Sequence, residues 1–275
     1  MNSMRTYITA IIIAMLCSTA CALAGTPLGE IKLFAHRGLT TKFPENSMEA
    51  IRAAKDLGIY GTEIDLRTTK DNKIVLLHDA ALGKMTTGRG QVAEVTMADI
   101  KKLFLKDSQG KPTKCKVAVF NDVLAKVSSF KGFVLAVDLK DVDVAKVCKQ
   151  VTDQNMESKV YFFIPGPKAV ATAKLIKSIN SDLMISIDLL NWWQIMNVPE
   201  FVISALDADA VFASEWFFPR HGFSEAINAN ARVQVYLWGQ KNLTQRMERA
   251  AALGANEISC DRPDILLNYI KSKTK

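Results

Sequence analysis

Apolar residues along this chain follow two rhythms. Short, nearly continuous apolar runs stand at Ile31–Ala35, Gly61–Leu66, Ile74–His78, Phe133–Asp138, Val160–Ile164, Leu183–Asp188, Ala208–Ala213, Val233–Trp238 and Glu257–Cys260. Between most of them lie stretches in which apolar positions recur every three or four residues: Ser47–Leu57, Asp122–Val127, Asp143–Gln150, Ala169–Ser178, Leu243–Leu253 and Arg262–Ile270. Runs of the first kind suit strands buried on both faces, and stretches of the second kind suit helices with one apolar stripe. Strand–helix alternation sustained over the chain predicts a parallel sheet with crossover helices. No glycine-rich phosphate loop follows the first run, which counts against a nucleotide-binding doubly wound sheet. The fold class expected is α/β, a (β/α)8 TIM-type barrel.

Nine runs are one too many for eight barrel strands. Only Arg67 to Lys73 separate the second and third, too little chain for a crossover helix. The segment Thr69-Lys70-Asp71-Asn72 is turn-like, so these two runs are expected to form a β-hairpin at the barrel rim. A turn centred there sets Glu63 roughly opposite His78. Side chains alternate along a strand, so Glu63 and Asp65 share one face while Ile64 and Leu66 take the other. The hairpin would then carry metal ligands, provided that it rises above the rim and bends back.

Composition adds bounds rather than a new picture. The chain has 275 residues, 49% hydrophobic and 23% charged, which suits one large globular domain. The formal charge is +7, but basic residues are scattered among acids, as in Lys70-Asp71-Asn72-Lys73. No block of the kind that binds nucleic acid is present, no protein partner is implied, and the mild positive field favours small anionic substrates. Residues 1–24 read as a secretion signal: Arg5 is the positive start, Ile8–Leu16 the apolar centre and Ala22-Leu23-Ala24 the cleavage site, leaving 25–275 as the barrel domain. Ser18-Thr19-Ala20-Cys21 also resembles a lipoprotein box, which would tether the chain to a membrane through a lipid on Cys21. Either way the protein is expected to be exported, periplasmic or secreted. The remaining cysteines, Cys115, Cys148 and Cys260, have no disulfide or metal spacing and are read as small buried apolar residues.

Only three histidines occur, so each position carries information. His36 and Arg37 close the first run, where a barrel builds its active site. They supply a proton-transfer group and a planar cation suited to two phosphoryl oxygens, although a core histidine beside a surface arginine would look the same. Glu63 and Asp65 interrupt an apolar run, and Asp138 ends another, with Lys140 following on its face. Buried carboxylates are unfavourable unless paired or metal-bound. Three of them converging on a rim suggest one hard divalent cation, Mg2+ or Ca2+, and a salt bridge from Lys140 to Asp138 is the plainer alternative. His78-Asp79 ends the hairpin, with Asp79 placed to orient the ring or to cap the next segment.

The ordered series His36-Arg37-Gly38, Pro44-Glu45-Asn46-Ser47, Glu63-Ile64-Asp65-Leu66, Thr69-Lys70-Asp71 and His78-Asp79 resembles the glycerophosphodiester phosphodiesterase family. The likeness continues through Thr87-Gly88-Arg89-Gly90, Thr96-Met97-Ala98-Asp99-Ile100, Tyr236-Leu237-Trp238 and Asp261-Arg262-Pro263, covering roughly Ile31 to Ile270. The resemblance implies a barrel of the phosphoinositide-phospholipase-C-like type. It implies His36 and His78 as an acid–base pair, Glu63 and Asp65 as metal ligands, and Arg37 on the phosphate. The family's third ligand is usually a glutamate in Glu-x-Lys, and here Asp138-Leu139-Lys140 stands in its place. The reaction implied is metal-dependent hydrolysis of a glycerophosphodiester to glycerol phosphate and an alcohol. Trp238 is expected to stack on glycerol or to pack in the core. Trp192-Trp193, Trp216-Phe217-Phe218 and His221 are further candidates for the pocket wall. Competing readings are a lysophospholipid-directed phosphodiesterase and a catalytically silent barrel that binds glycerophosphoryl groups.

Overall fold

Each of the nine apolar runs is a strand in the computed structural model, which describes residues 25–164, 169–188, 207–214 and 231–274. The leader with Cys21, Trp192-Trp193, Trp216-Phe217-Phe218 and His221 lie outside the described residues. The strands are β1 (Lys32–His36), β2 (Gly61–Thr68), β3 (Ile74–Leu76), β4 (Val134–Asp141), β5 (Val160–Ile164), β6 (Met184–Asp188), β7 (Ala210–Ser214), β8 (Arg232–Leu237) and β9 (Glu257–Cys260). All but β3 pair in parallel around a ring, from β1 through β2, β4, β5, β6, β7, β8 and β9 back to β1. That is a closed (β/α)8 barrel, as the alternation predicts.

Alternation along the strands divides the apolar residues between two faces. Ile64, Leu135, Val137, Phe162, Ile185, Val211, Val233 and Ile258 point outward and pack with helix residues such as Ile51, Leu124, Val147, Ile176 and Met247. Each such aliphatic side chain contributes about 1.5–3 kcal/mol when fully buried. Phe34, Val134, Ala136 and Tyr161 form a separate cluster with Tyr60 and Met184. Gly61 is needed beside it, because a Cβ there would stand 2.7 Å from both Phe34 and Val134. The helices follow the predicted stretches within a few residues: Met48–Leu57, Phe120–Ser128, Val144–Asp153, Ala169–Ile179, Leu243–Ala252 and Pro263–Lys273. Ser47 and Asp143 accept backbone hydrogen bonds as N-caps, and Pro263 opens the last helix.

The hairpin forms, with its register one residue away from expectation. The antiparallel pairs are Leu66↔Leu76, Arg67↔Val75 and Thr68↔Ile74. This register would set position 79 rather than 78 against Glu63, but the pairing ends before it reaches either. The reason lies in the turn: Thr69 accepts from Lys73 N, Asn72 takes a left-handed φ of 58°, and β2 runs two residues further than its apolar run. The strand β3 stops at Leu76, so His78 leaves the ladder altogether. The outer edge of β3 is covered by chain at 118–119, through Leu76 N to Ala118 O and a bridge from Val75 to Val119.

Candidate active site

The acids are gathered by strand register. Adjacent strands β2 and β4 pair Asp65 with Asp138, and alternation turns Glu63 to the same lumenal side. The pairing skips one residue between Leu66 and Arg67, which meets Asp141, so Lys140 is the extra residue of a bulge. Its ammonium folds back onto Asp138 and lies 3.3 Å from Asp65 Oδ1. Asp65 is only 1% exposed. Asn46 holds it at both ends, donating to Oδ2 at 2.8 Å and accepting from its backbone N–H at 3.0 Å. Burial and the charges of Asp65 and Asp138 push Glu63 well above the usual carboxylate range, against Arg37 and Lys140. Burial also raises Asp138, against the pull of Lys140. Burial pulls Lys140 down, yet its carboxylate neighbours prevail and its affinity for a proton rises.

A tight loop after β1 supplies the histidine and arginine. Arg37 has φ 58° and Gly38 φ 88°, both left-handed. Any side chain at Gly38 would meet the Ala50 Cβ at 2.6 Å, so glycine is required twice over. Thr62 bridges the loop to β2, accepting from Gly38 N and donating to Ala35 O, each at 2.8 Å. Arg37 then reaches Glu45 Oε1 at 3.0 Å and Asp65 Oδ2 at 3.2 Å. His36 turns into the lumen with Nε2 3.8 Å from Glu63 Oε2 and Nδ1 2.8 Å from Asp261 Oδ1.

His78 reaches the site by a different device. Arg67 donates to the His78 carbonyl from Nε at 2.9 Å and from Nη2 at 2.6 Å, and it is anchored to Asp141. The bend so fixed leaves the imidazole within electrostatic reach of Asp138. His78 Nδ1 lies 2.9 Å from Asp79 Oδ1, and Lys84 sits 2.8 Å from Asp79 Oδ2. Both histidines thus carry a carboxylate on Nδ1, which leaves each Nε2 turned away from its carboxylate partner.

Of the residues singled out by sequence, His36, Arg37, Glu63, Asp65, Asp138, Lys140 and His78 meet at this mouth. Trp238 stands at its edge, 53% exposed, with its ring 4.2 Å from that of Tyr236 and 6.4 Å from that of His36. It is a rim residue and not a core one. Sequence reasoning gave no role to the supports Asn46, Arg67, Tyr236 and Asp261, although all but Arg67 stand in the motif series. Asp261 had a signal, since it directly follows β9 as Arg37 follows β1. Arg67 had none, and the motif around Asn46 did not show what it would hold, because their partners depend on a bulge and a left-handed turn.

The acid cluster fits a cation by its own chemistry. Among the described residues, oxygens of Glu63, Asp65 and Asp138 lie within 4.8 Å of one another. Glu63 Oε2 and Asp138 Oδ1 are buried with no hydrogen-bond donor. Orphaned acceptors on converging carboxylates are what an oxygen-liking divalent ion satisfies.

Comparison with known proteins agrees with this geometry. The model of the "Glycerophosphoryl diester phosphodiesterase family" matches residues 36–265. A glycerophosphodiester phosphodiesterase of Caldanaerobacter subterraneus is 26% identical over 253 residues, spanning 87% of this chain and 97% of that one. The crystal structure of a glycerophosphodiester phosphodiesterase from Agrobacterium tumefaciens shares the fold with a TM-score of 0.73 at 22% identity, over 86% of this chain and 98% of that one. So does an Oleispira antarctica phosphodiesterase solved in complex with the product sn-glycerol-3-phosphate, with a TM-score of 0.71 at 19% identity, over 87% and 96% of the two chains. The family match begins at His36, takes in every acid of the mouth and ends at Ile265, past Asp261: this chain belongs to the glycerophosphoryl diester phosphodiesterase family.

Proposed function

We propose that the chain hydrolyses glycerophosphodiesters to glycerol phosphate and an alcohol, with His36 and His78 exchanging the protons. The observation that carries this reading is the pair of histidine–carboxylate dyads flanking a three-carboxylate cluster. Glu63, Asp65 and Asp138 would hold Mg2+ or Ca2+, which neutralises phosphoryl charge when bound. Arg37 spends part of its guanidinium on Glu45 and Asp65 and has further N–H groups for the phosphate oxygens. Lys140 adds a second positive charge beside them. An alkoxide is a poor leaving group, so one imidazole must deliver a proton to it while the other takes one from the nucleophile. The nucleophile is water or the neighbouring glycerol hydroxyl; proximity favours the hydroxyl, whose attack expels the alcohol and forms a cyclic phosphate that water then opens to glycerol phosphate. Trp238 offers a ring face to the glycerol carbons.

The test is release of the alcohol from a panel of glycerophosphodiesters and lysophospholipids, leaving glycerol phosphate from the former and its acyl ester from the latter, with EDTA and then with Mg2+ or Ca2+ restored. Cation-restored release from the deacylated diesters is the expected outcome. Release from lysophospholipids alone would transfer the reading to lipid substrates, and no turnover with any cation would leave a binding-only barrel.

A further inference from the structure

We infer that Asp261 and Tyr236 act together as a positioning clamp on Nδ1 of His36, holding the imidazole in the Nδ1–H tautomer so that Nε2 is the atom that handles protons. The inference rests on the proposed role of His36. Its basis is a closed triangle of polar atoms from three neighbouring strands. His36 ends β1, Asp261 directly follows β9, and Tyr236 lies on β8. His36 Nδ1 is 2.8 Å from Asp261 Oδ1 and 2.8 Å from the Tyr236 hydroxyl, which is itself 3.0 Å from Asp261 Oδ1.

Counting protons decides the arrangement. A carboxylate only accepts, and the phenol has one proton to donate. Were Nδ1 bare, its lone pair would face the Asp261 oxygen at 2.8 Å with no proton between them. With the proton on Nδ1, Asp261 Oδ1 accepts from both the imidazole and the phenol, and no two acceptors are left face to face. Burial and the nearby Asp261 push the Tyr236 phenol far up, so it stays a donor. The hydrogen bond from His36 is the foremost cause that lowers Asp261, which keeps it an anion. The Tyr236 ring also meets the imidazole edge to face, with centroids 4.9 Å apart and planes at 77°. The clamp therefore fixes both the tautomer and the ring plane. In the second dyad Asp79 is shared with Lys84, so among the described contacts the two histidines are supported in unlike ways.

The experiment uses the full chain and its three histidines. Long-range 1H–15N correlation on 15N-histidine-labelled protein, with the His36→Ala variant identifying the signals, should show His36 protonated on Nδ1. Asp261→Asn should lower kcat roughly 10- to 100-fold with KM nearly unchanged, and Tyr236→Phe should lower it less. On a His36→Ala background neither change should lower the rate further, because a clamp acts only through the ring it holds. An Nε2–H tautomer in the wild type would overturn the inference. So would full kcat in Asp261→Asn, or equal losses with and without His36. If His36→Ala itself keeps full turnover, the proposed function fails instead, and the tautomer measurement still reports on the clamp by itself.

Discussion

Buried carboxylates occur at both ends of the barrel lumen and are handled in opposite ways. At the floor, Glu257 opens β9 at 1% exposure. Arg232 lies 3.8 Å from it and stacks over the Tyr161 ring, while Lys32 is its register partner and stacks over Tyr60. A single acid there faces two cations among aromatic walls; its Oε1 also has no hydrogen-bond donor, but no second carboxylate converges on it among the described residues. At the mouth, three carboxylates, Glu63, Asp65 and Asp138, converge beside Lys140 and Arg37, and among the described residues two of their oxygens have no donor. Burial alone does not mark a functional acid. Converging acceptors in excess of their donors do.

The comparison is tested most severely at the histidines. Replacing His36 or His78 with alanine should lower turnover by roughly 10²- to 10⁴-fold while thermal stability holds. Full activity in either variant would remove the chemistry from the mouth. Next comes the cation. A thousandfold excess of Ca2+ or Mg2+ over its Kd should stabilise the wild type by about 4 kcal/mol in a melting experiment. Glu63→Gln should lose most of that shift, and Glu257→Gln should keep it; equal shifts in both variants would erase the distinction between the two ends.

The floor has its own signature in pH. Burial pushes Glu257 up to about 7, against the pull of Arg232 and Lys32. The native state then holds a proton that the unfolded chain releases near pH 4.5, so stability falls as pH rises from there to about 7 and levels off above. The whole change is about 3 kcal/mol, which Glu257→Gln should abolish without touching turnover. Chemical denaturation at pH 5 and pH 8 measures it, and a wild-type stability that rises across this window would contradict the assignment. The smallest effect is expected at Trp238, where alanine should raise KM a few-fold, about 1 kcal/mol, with kcat unchanged.

Strand and helix positions were legible because each apolar run is buried on two faces or one, and that pattern belongs to local sequence. Even the surplus strand was legible, from the short span between Leu66 and Ile74. The one-residue register error arose because the turn closes between Thr69 and Lys73, one residue beyond the turn-like segment read from sequence. The site's charged atoms were legible as misfits: Glu63, Asp65 and Asp138 stand where Val or Ile would pack better. The roles of their supports were not: Asn46, Tyr236 and Asp261 showed only as positions in a motif series and Arg67 not at all, since each is an ordinary polar or aromatic residue until the barrel closes around it.

Closure of the ring has a consequence for the order of events in folding. The first strand is flanked by the second and by the last, so β1 keeps an open edge until β9 arrives from more than 200 positions down the chain. Pairing over such a separation is slow to nucleate, and an unpaired strand edge invites association with other chains meanwhile. His36 meets Asp261 at this same seam. A polypeptide emerging end-first would therefore complete its barrel and its histidine clamp in a single late step, and a chain cut short before Glu257 would have neither.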